Sequence, residues 1–262
     1  MDAQPLGNVI RLDAREVIHP ENASASGGIR RDTPLLVVLA AGKGTRFGSE
    51  PKCIQPVHET PLARHAVDAF HELFPSPVVG IVHYRWQEVS AALGTDNVYV
   101  LSGSPTGGTA YAAYEALCVP GLLDADPLLF ITMGDRIVPA DVFRRLIDTH
   151  GTGQNEADLT FLTAVYEPPQ NRDKGRVLRD AETGRVRRIV EARDIQAMPE
   201  SPARQALLET TEGNCPLYLV RARQLHRHLR NLTNDNAQKQ YYLTDLVEII
   251  ARQGGTIRTV TT

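Results

Sequence analysis

The chain has 262 residues, 42% of them hydrophobic and 23% charged, with a net charge of −3. Such a chain buries a sizeable core without disulfide or metal staples, and its mild acidity excludes broad electrostatic capture of nucleic acid or of an anionic membrane. The cysteines Cys53, Cys118 and Cys215 are far apart and unpaired in spacing, which argues against a disulfide or zinc framework and for a reducing, cytoplasmic setting. No apolar run reaches membrane-span length, and the first residues lack the layout of a secretory signal.

Residues 1–33 are polar, with Asn22, Ser24, Ser26, Gly27 and Gly28 in a loose cluster. They read as a flexible leader carrying one short strand at 8–12. Order begins at Pro34. The apolar run 35–39 predicts a strand buried on both faces, running straight into a glycine loop. Residues 61–74 predict a helix stopped by Pro75. Strand 78–82, helix 86–93, strand 98–101 and, after a second glycine loop, helix 108–117 follow. The apolar strand 127–133 ends at Gly134-Asp135 and leads to helix 141–150 and strand 158–166. This alternation predicts an α/β fold: a Rossmann-like, mostly parallel sheet flanked by helices. Ligands of such sheets bind beyond the carboxyl ends of the strands, where both glycine loops and Gly134-Asp135 fall.

From 175 to 190 the texture changes. Segments 176–180 and 185–190 flank Glu182-Thr183-Gly184 and predict a hairpin whose alternating arginines form its solvated face. Strand 214–220, helices 222–231 and 243–253, and strand 256–260 complete one domain over 34–262, in halves 34–165 and 166–262.

The first loop, Leu39-Ala40-Ala41-Gly42-Lys43-Gly44-Thr45-Arg46, has small residues where a backbone must approach phosphate closely. Lys43, Arg46 and Lys52 add positive charge. Neither the P-loop nor the dinucleotide fingerprint is present. A glycine turn alone is weak grounds for a binding site; the basic trio points to a nucleoside triphosphate.

These residues resemble the sugar-1-phosphate nucleotidyltransferase superfamily, above all the uridyltransferase domain of bifunctional N-acetylglucosamine-1-phosphate uridyltransferase/acetyltransferases. Besides the loop and Pro51-Lys52, the similar blocks are Thr106-Gly107-Gly108-Thr109-Ala110, Met133-Gly134-Asp135, Lys174-Gly175-Arg176-Val177 (the family's Tyr-Gly-Arg-Ile), Val190-Glu191-Ala192-Arg193-Asp194, Glu212-Gly213-Asn214, and the run from Leu232 through Tyr241-Tyr242-Leu243-Thr244-Asp245. The resemblance implies a nucleotide-diphospho-sugar transferase fold whose hairpin part binds sugar. It implies that Leu39, Ala40, Ala41 and Gly42 hold the base and Lys43, Gly44, Thr45 and Arg46 the triphosphate, with Arg46 and Lys52 catalytic. Leu101, Thr106 and Gly107 would face the base. Asp135 would bind Mg²⁺. Met133, Gly134, Gly175, Glu191, Asn214, Tyr242 and Thr244 would surround the sugar. The implied partners are an NTP and a sugar phosphate, UTP and an N-acetylglucosamine-1-phosphate-like sugar by default, with neither nucleic acid nor membrane.

The departures from the pattern matter. Leu101 stands where the family reads uracil with a glutamine, and the second loop is altered, so the base stays open. Met133 replaces a tyrosine, and Cys215-Pro216 replaces Thr-Gly beside the sugar. A CTP- or GTP-dependent transferase acting on another phosphate or phosphonate is therefore a second reading. A non-catalytic nucleotide-sugar-binding subunit is a third, opposed by the presence of Arg46, Lys52 and Asp135. The family's second metal ligand would lie past Thr262, which suggests part of a longer fusion or an unusual stand-alone member, with homo-oligomerisation open.

Overall fold

The computed structural model describes residues 17–18, 29–44, 48–104 and 106–262. The strand expected at 8–12, and the loop residues Thr45 and Arg46, lie outside the described residues. In chain order the strands are β1 (Val17–Ile18), β2 (Leu35–Ala40), β3 (Pro56–Val57), β4 (Thr60–Pro61), β5 (Val78–Val82), β6 (Val98–Leu101), β7 (Leu128–Met133), β8 (Leu159–Val165), β9 (Arg176–Arg179), β10 (Val186–Val190), β11 (Glu212–Arg221) and β12 (Ile257–Thr261). The helices are α1 (Leu62–His71), α2 (Trp86–Leu93), α3 (Thr109–Ala116), α4 (Leu122–Ala125), α5 (Ala140–His150), α6 (Ala192–Ala197), α7 (Pro202–Glu209), α8 (Ala222–Leu229) and α9 (Asp245–Arg252).

The main sheet runs β1-β6-β5-β2-β7-β11-β8-β12. Strands β6, β5, β2 and β7 pair in parallel, as do β8 and β12. Strand β11 lies antiparallel between β7 and β8, which makes the sheet mixed. All six residues of β2 are buried. Alternate residues feed two cores: Leu35, Val37 and Leu39 pack toward α3, α8 and α9, while Leu36, Val38 and Ala40 pack toward α1 and α5. Each buried aliphatic side chain of this size contributes about 1.5–3 kcal/mol, so the central strand is held on both sides.

The orientation of β11 decides where the site can form. Because it runs against its neighbours, its amino end lies at their carboxyl ends. Asn214 sits opposite Thr163, and Leu217 opposite Thr132. The register shifts between Cys215 and Tyr218, where Pro216 has no N–H to give to the ladder.

Three readings are corrected. The arginines of the hairpin are not one solvated face: Arg176 is only 1% exposed. Its Nε donates to the Leu207 carbonyl at 3.1 Å and its Nη1 to the carbonyls of Asn171 and Lys174. A guanidinium buried on backbone acceptors ties the hairpin to α7 and to the loop before β9. Arg179 bonds Glu212 from the surface, and Arg187 and Arg188 are exposed. Within the stretch read as a leader, β1 pairs with the edge strand β6, and Arg221 Nη1 donates to the Arg31 carbonyl at 3.0 Å. Finally, α6 and α7 occupy a stretch where no helix was expected. They run 6 and 8 residues and bury only Ala192, Ile195 and Leu207, so no apolar stripe marks them. Ser201 nevertheless caps α7 by accepting from the Arg204 N–H.

Candidate active site

Strands β2 and β7 end side by side, with Leu39 opposite Met133. The Gly134 N–H donates to the Leu39 carbonyl at 2.9 Å. A Cβ on Gly134 would lie 3.1 Å from that of Ala40 and 3.3 Å from that of Cys53, so glycine lets two strand ends and the short 3-10 turn Lys52–Ile54 close together. That turn sets Lys52 across from Asp135. The Lys52 Nζ donates to Asp135 Oδ2 at 2.8 Å, with the side chains 35% and 33% exposed. Together these elements bound a cavity of about 370 Å³, lined by Leu39, Ala40, Gly42, Gly44, Lys52, Cys53, Met133, Gly134, Asp135 and Arg193.

Of the residues expected to touch phosphate and metal, Gly44, Lys52 and Asp135 share one cavity. Ala41 instead turns into the core. Lys43 is exposed, its Nζ 5.9 Å from the centre of the Tyr84 ring. Leu101, Thr106 and Gly107 stand at the same sheet edge but across β5, outside this cavity. Their loop is pinned from the other end of the chain: Tyr241 N–H donates to the Gly107 carbonyl and Ala110 N–H to the Tyr241 carbonyl, both at 2.9 Å. At φ 99°, Gly108 adopts a backbone that favours glycine, and a Cβ there would strike the Tyr241 backbone.

The residues expected around the sugar gather one step along the edge. A Cβ on Gly175 would lie 3.6 Å from Glu191 Oε2 and 3.7 Å from Asn214 Cβ, so the three are neighbours. Asn214 N–H donates to the Gly175 carbonyl at 2.8 Å. Its side-chain Nδ2 donates to the Tyr218 hydroxyl at 2.7 Å, while Oδ1 has no partner among the described residues although Asn214 is 7% exposed. A buried acceptor without a donor is costly and is a place for a ligand hydroxyl. The Thr244 hydroxyl donates to Glu191 Oε1 at 2.8 Å, and the buried Tyr242 donates to Gln238 Oε1 at 3.1 Å. Burial pushes the Glu191 carboxyl up against the lowering effect of Thr244. Asp245 is pushed up to about 7 by burial and by the nearby Glu191 and Asp194 carboxylates. Burial likewise raises Tyr242 to about 12.

Several residues here went unnoticed in the sequence. Tyr218 is four positions from Asn214 on one strand, an even spacing that marks a shared face. Arg193, at the start of α6, faces the phosphate loop across the cavity, and nothing in its local pattern separates it from an ordinary surface arginine. Arg136 and Tyr166 end strands β7 and β8 and are brought near one another only by the sheet.

The chain that builds this cavity is similar to known proteins. Residues 36–248 match the MobA-like NTP transferase domain. The bifunctional protein GlmU of Bacillus subtilis is 35% identical over 86% of this chain and 46% of its own length. That of Brevibacillus brevis is 36% identical over 83% of this chain and 44% of its own length. The chain therefore spans about half the length of these curated relatives. Two solved structures share the fold. The inositol-1-phosphate CTP transferase from T. maritima has a TM-score of 0.63 at 12% identity, covering 89% of this chain and 87% of its own. The nucleoside-diphosphate-sugar pyrophosphorylase from Vibrio cholerae RC9 has 0.61 at 16% identity, covering 87% of this chain and 91% of its own. The chain belongs to the family of MobA-like NTP transferase domains, and it has the α/β fold of nucleotidyltransferases.

Proposed function

We propose that this chain joins the nucleoside monophosphate part of an NTP to a sugar 1-phosphate, giving a nucleoside-diphosphate sugar and pyrophosphate. The observation that carries the reading is the Lys52–Asp135 pair lining a cavity with Gly42, Gly44 and Gly134, on the same sheet edge as a buried acceptor, Asn214 Oδ1, that has no partner among the described residues. An acceptor phosphate oxygen attacks the α-phosphorus, a new P–O bond forms, the bond to the bridging oxygen breaks, and pyrophosphate leaves with that electron pair. The attacking oxygen is already anionic, so no general base is needed. Positioning and charge neutralisation then supply the catalysis. Lys52 and Arg46 neutralise phosphate charge, with Lys43 beside them. Glycines Gly42 and Gly44 admit the phosphates. Glu191 and Asn214 accept hydrogen bonds from sugar hydroxyls, with Thr244 and Tyr218 fixing their orientations.

Asp135 offers a hard oxygen donor at the cavity surface, and magnesium sites of phosphoryl chemistry need only one or two carboxylates. The donor set fits Mg²⁺, which when bound there would neutralise phosphate charge. UTP and N-acetylglucosamine 1-phosphate are the default pair. Leu101 keeps a second reading open, CTP or GTP with another phosphate or phosphonate, because an apolar side chain there cannot make the uracil contact of the family's glutamine. The test is pyrophosphate release from each NTP with Mg²⁺ and a panel of sugar phosphates. Release with UTP and N-acetylglucosamine 1-phosphate supports the default, release with another NTP alone supports the second reading, and no release with any pair refutes both.

A further inference from the structure

Outside the candidate active site, the hairpin and α9 enclose a cavity of about 650 Å³. Four arginines line it, Arg179, Arg187, Arg188 and Arg252, against a single lining carboxylate, Glu248. A bulge in β10 brings two of the arginines together. Val186 pairs with Arg179 and Arg188 with Leu178, so Arg187 is the extra residue and Arg187-Arg188 stands opposite Leu178 alone. Consecutive side chains of a regular strand point to opposite faces, and a bulge re-aims one of them. Here both arginines line the same cavity, while Val186 and Ile189 on either side of them are buried in the core.

The charge in this cavity is not balanced. Arg179 is held by Glu212 through bonds of 2.7 and 2.6 Å, and Arg252 meets Glu248 at 2.6 Å. Arg187 and Arg188 are exposed and form no ion pair among the described residues. Asp180, at the hairpin turn, has its Oδ1 turned to the N–H groups of Glu182 and Thr183. Two positive charges are thus left over, side by side on one strand. Holding like charges together costs free energy that a bound counter-ion recovers.

We infer that this cavity is a second anion site, which takes a small organic phosphate with two or more phosphoryl charges and holds it between Arg187 and Arg188 of β10 and Arg252 of α9. Each guanidinium fork matches a pair of phosphoryl oxygens, so two unpaired forks call for more than one phosphoryl group. A concave site of this volume suits a small molecule. Its place in the fold ties it to the acceptor end. Strand β10 leads within three residues from Arg188 to Glu191, and α9 follows directly on Thr244. The hydrogen bond from Thr244 to Glu191 joins these same two elements. An anion between the hairpin and α9 therefore fastens both supports of that bond.

The probe is inorganic pyrophosphate, titrated without Mg²⁺ onto the full chain and read by hydrogen exchange, which localises the site. Protection is expected over residues 185–190 and 248–252. In Arg187→Gln and in Arg188→Gln the pyrophosphate concentration that half-protects these segments should rise about tenfold, as loss of a charge-assisted hydrogen bond does. Arg252→Gln, on a different element, should weaken protection in the same way and keeps the test decisive should a hairpin variant fail to fold. None of the three arginines belongs to the candidate active site, so turnover with NTP and acceptor and no added anion should match the parent. Protection confined to the phosphate loop and residues 133–135, protection matched by sodium chloride at equal ionic strength, or half-protection unchanged in all three variants overturns the inference. Each of those results leaves nucleotidyl transfer, which is read from pyrophosphate release, untouched.

Discussion

The two ends of the site are built on different principles. The phosphate end uses the tips of adjacent parallel strands, a glycine loop and one ion pair, all partly open to water. The acceptor end is assembled from β11, the residues ahead of β9, the start of α6 and the segment before α9, and its polar groups are buried and bonded to one another. At the first end, the groups that do chemistry contribute little to holding the fold. At the second, recognition and stability share the same hydrogen bonds. Substitutions should therefore separate activity from stability at one end and couple them at the other.

The largest effect tests the open end. Asp135→Ala should lower Mg²⁺-dependent turnover on the order of a thousandfold, while the melting temperature holds, because an exposed pair contributes little to stability. Substantial turnover in that variant would sink the metal assignment. Next comes the opposite case. Arg176→Ala removes the buried guanidinium from its backbone acceptors and should cost about 3 kcal/mol, roughly 10 °C in Tm for a domain of this size. A melting temperature within a degree of the parent would show that the hairpin is held otherwise. Asn214→Ala should show both effects at once: about a thirtyfold loss in kcat/KM for the acceptor, and about 1–2 kcal/mol of stability from stranding the Tyr218 hydroxyl. Loss of activity with no loss of stability would break the contrast between the two ends.

The gentlest change alters one charge. Asp245 titrates at about 7 in the fold against about 3.9 unfolded. Between those values the folded state binds more protons than the unfolded one. Stability therefore falls as pH rises from about 4 to about 7, then levels off. Asp245→Asn should raise Tm at pH 8 and show no advantage near pH 4; an advantage independent of pH would mean that Asp245 stays charged throughout.

The phosphate end was legible in the sequence because its residues are local. The run 35–39 is apolar enough to fix a buried strand, and glycines mark where its end must admit a ligand. Gly134-Asp135 announces itself in the same way. The acceptor end was legible only as motifs resembling a family. No periodicity brings Glu191 to Thr244. The burial of Arg176 was misread because a hairpin alone suggests one wet face, and only the carbonyls of Asn171, Lys174 and Leu207 reverse that expectation. The helices α6 and α7 escape a sequence reading because between them they bury only Ala192, Ile195 and Leu207, which leaves no apolar stripe to see.

The sequence by itself determined the strand-loop pattern of the nucleotide half, the small residues and charges of its phosphate loop, and the side chains available to an acceptor. Only the tertiary structure decided what those side chains face. Inserting β11 antiparallel carries Asn214 to the edge where the parallel strands end. There Asn214 meets Gly175 and Glu191 on one face of the sheet, while Tyr166 and Lys174 pack beside Gly213 on the other. The reason is physical: hydrophobic alternation specifies which face of a strand is buried, but the neighbours of a buried polar group are chosen by strand order and direction, which depend on contacts between residues far apart in the chain.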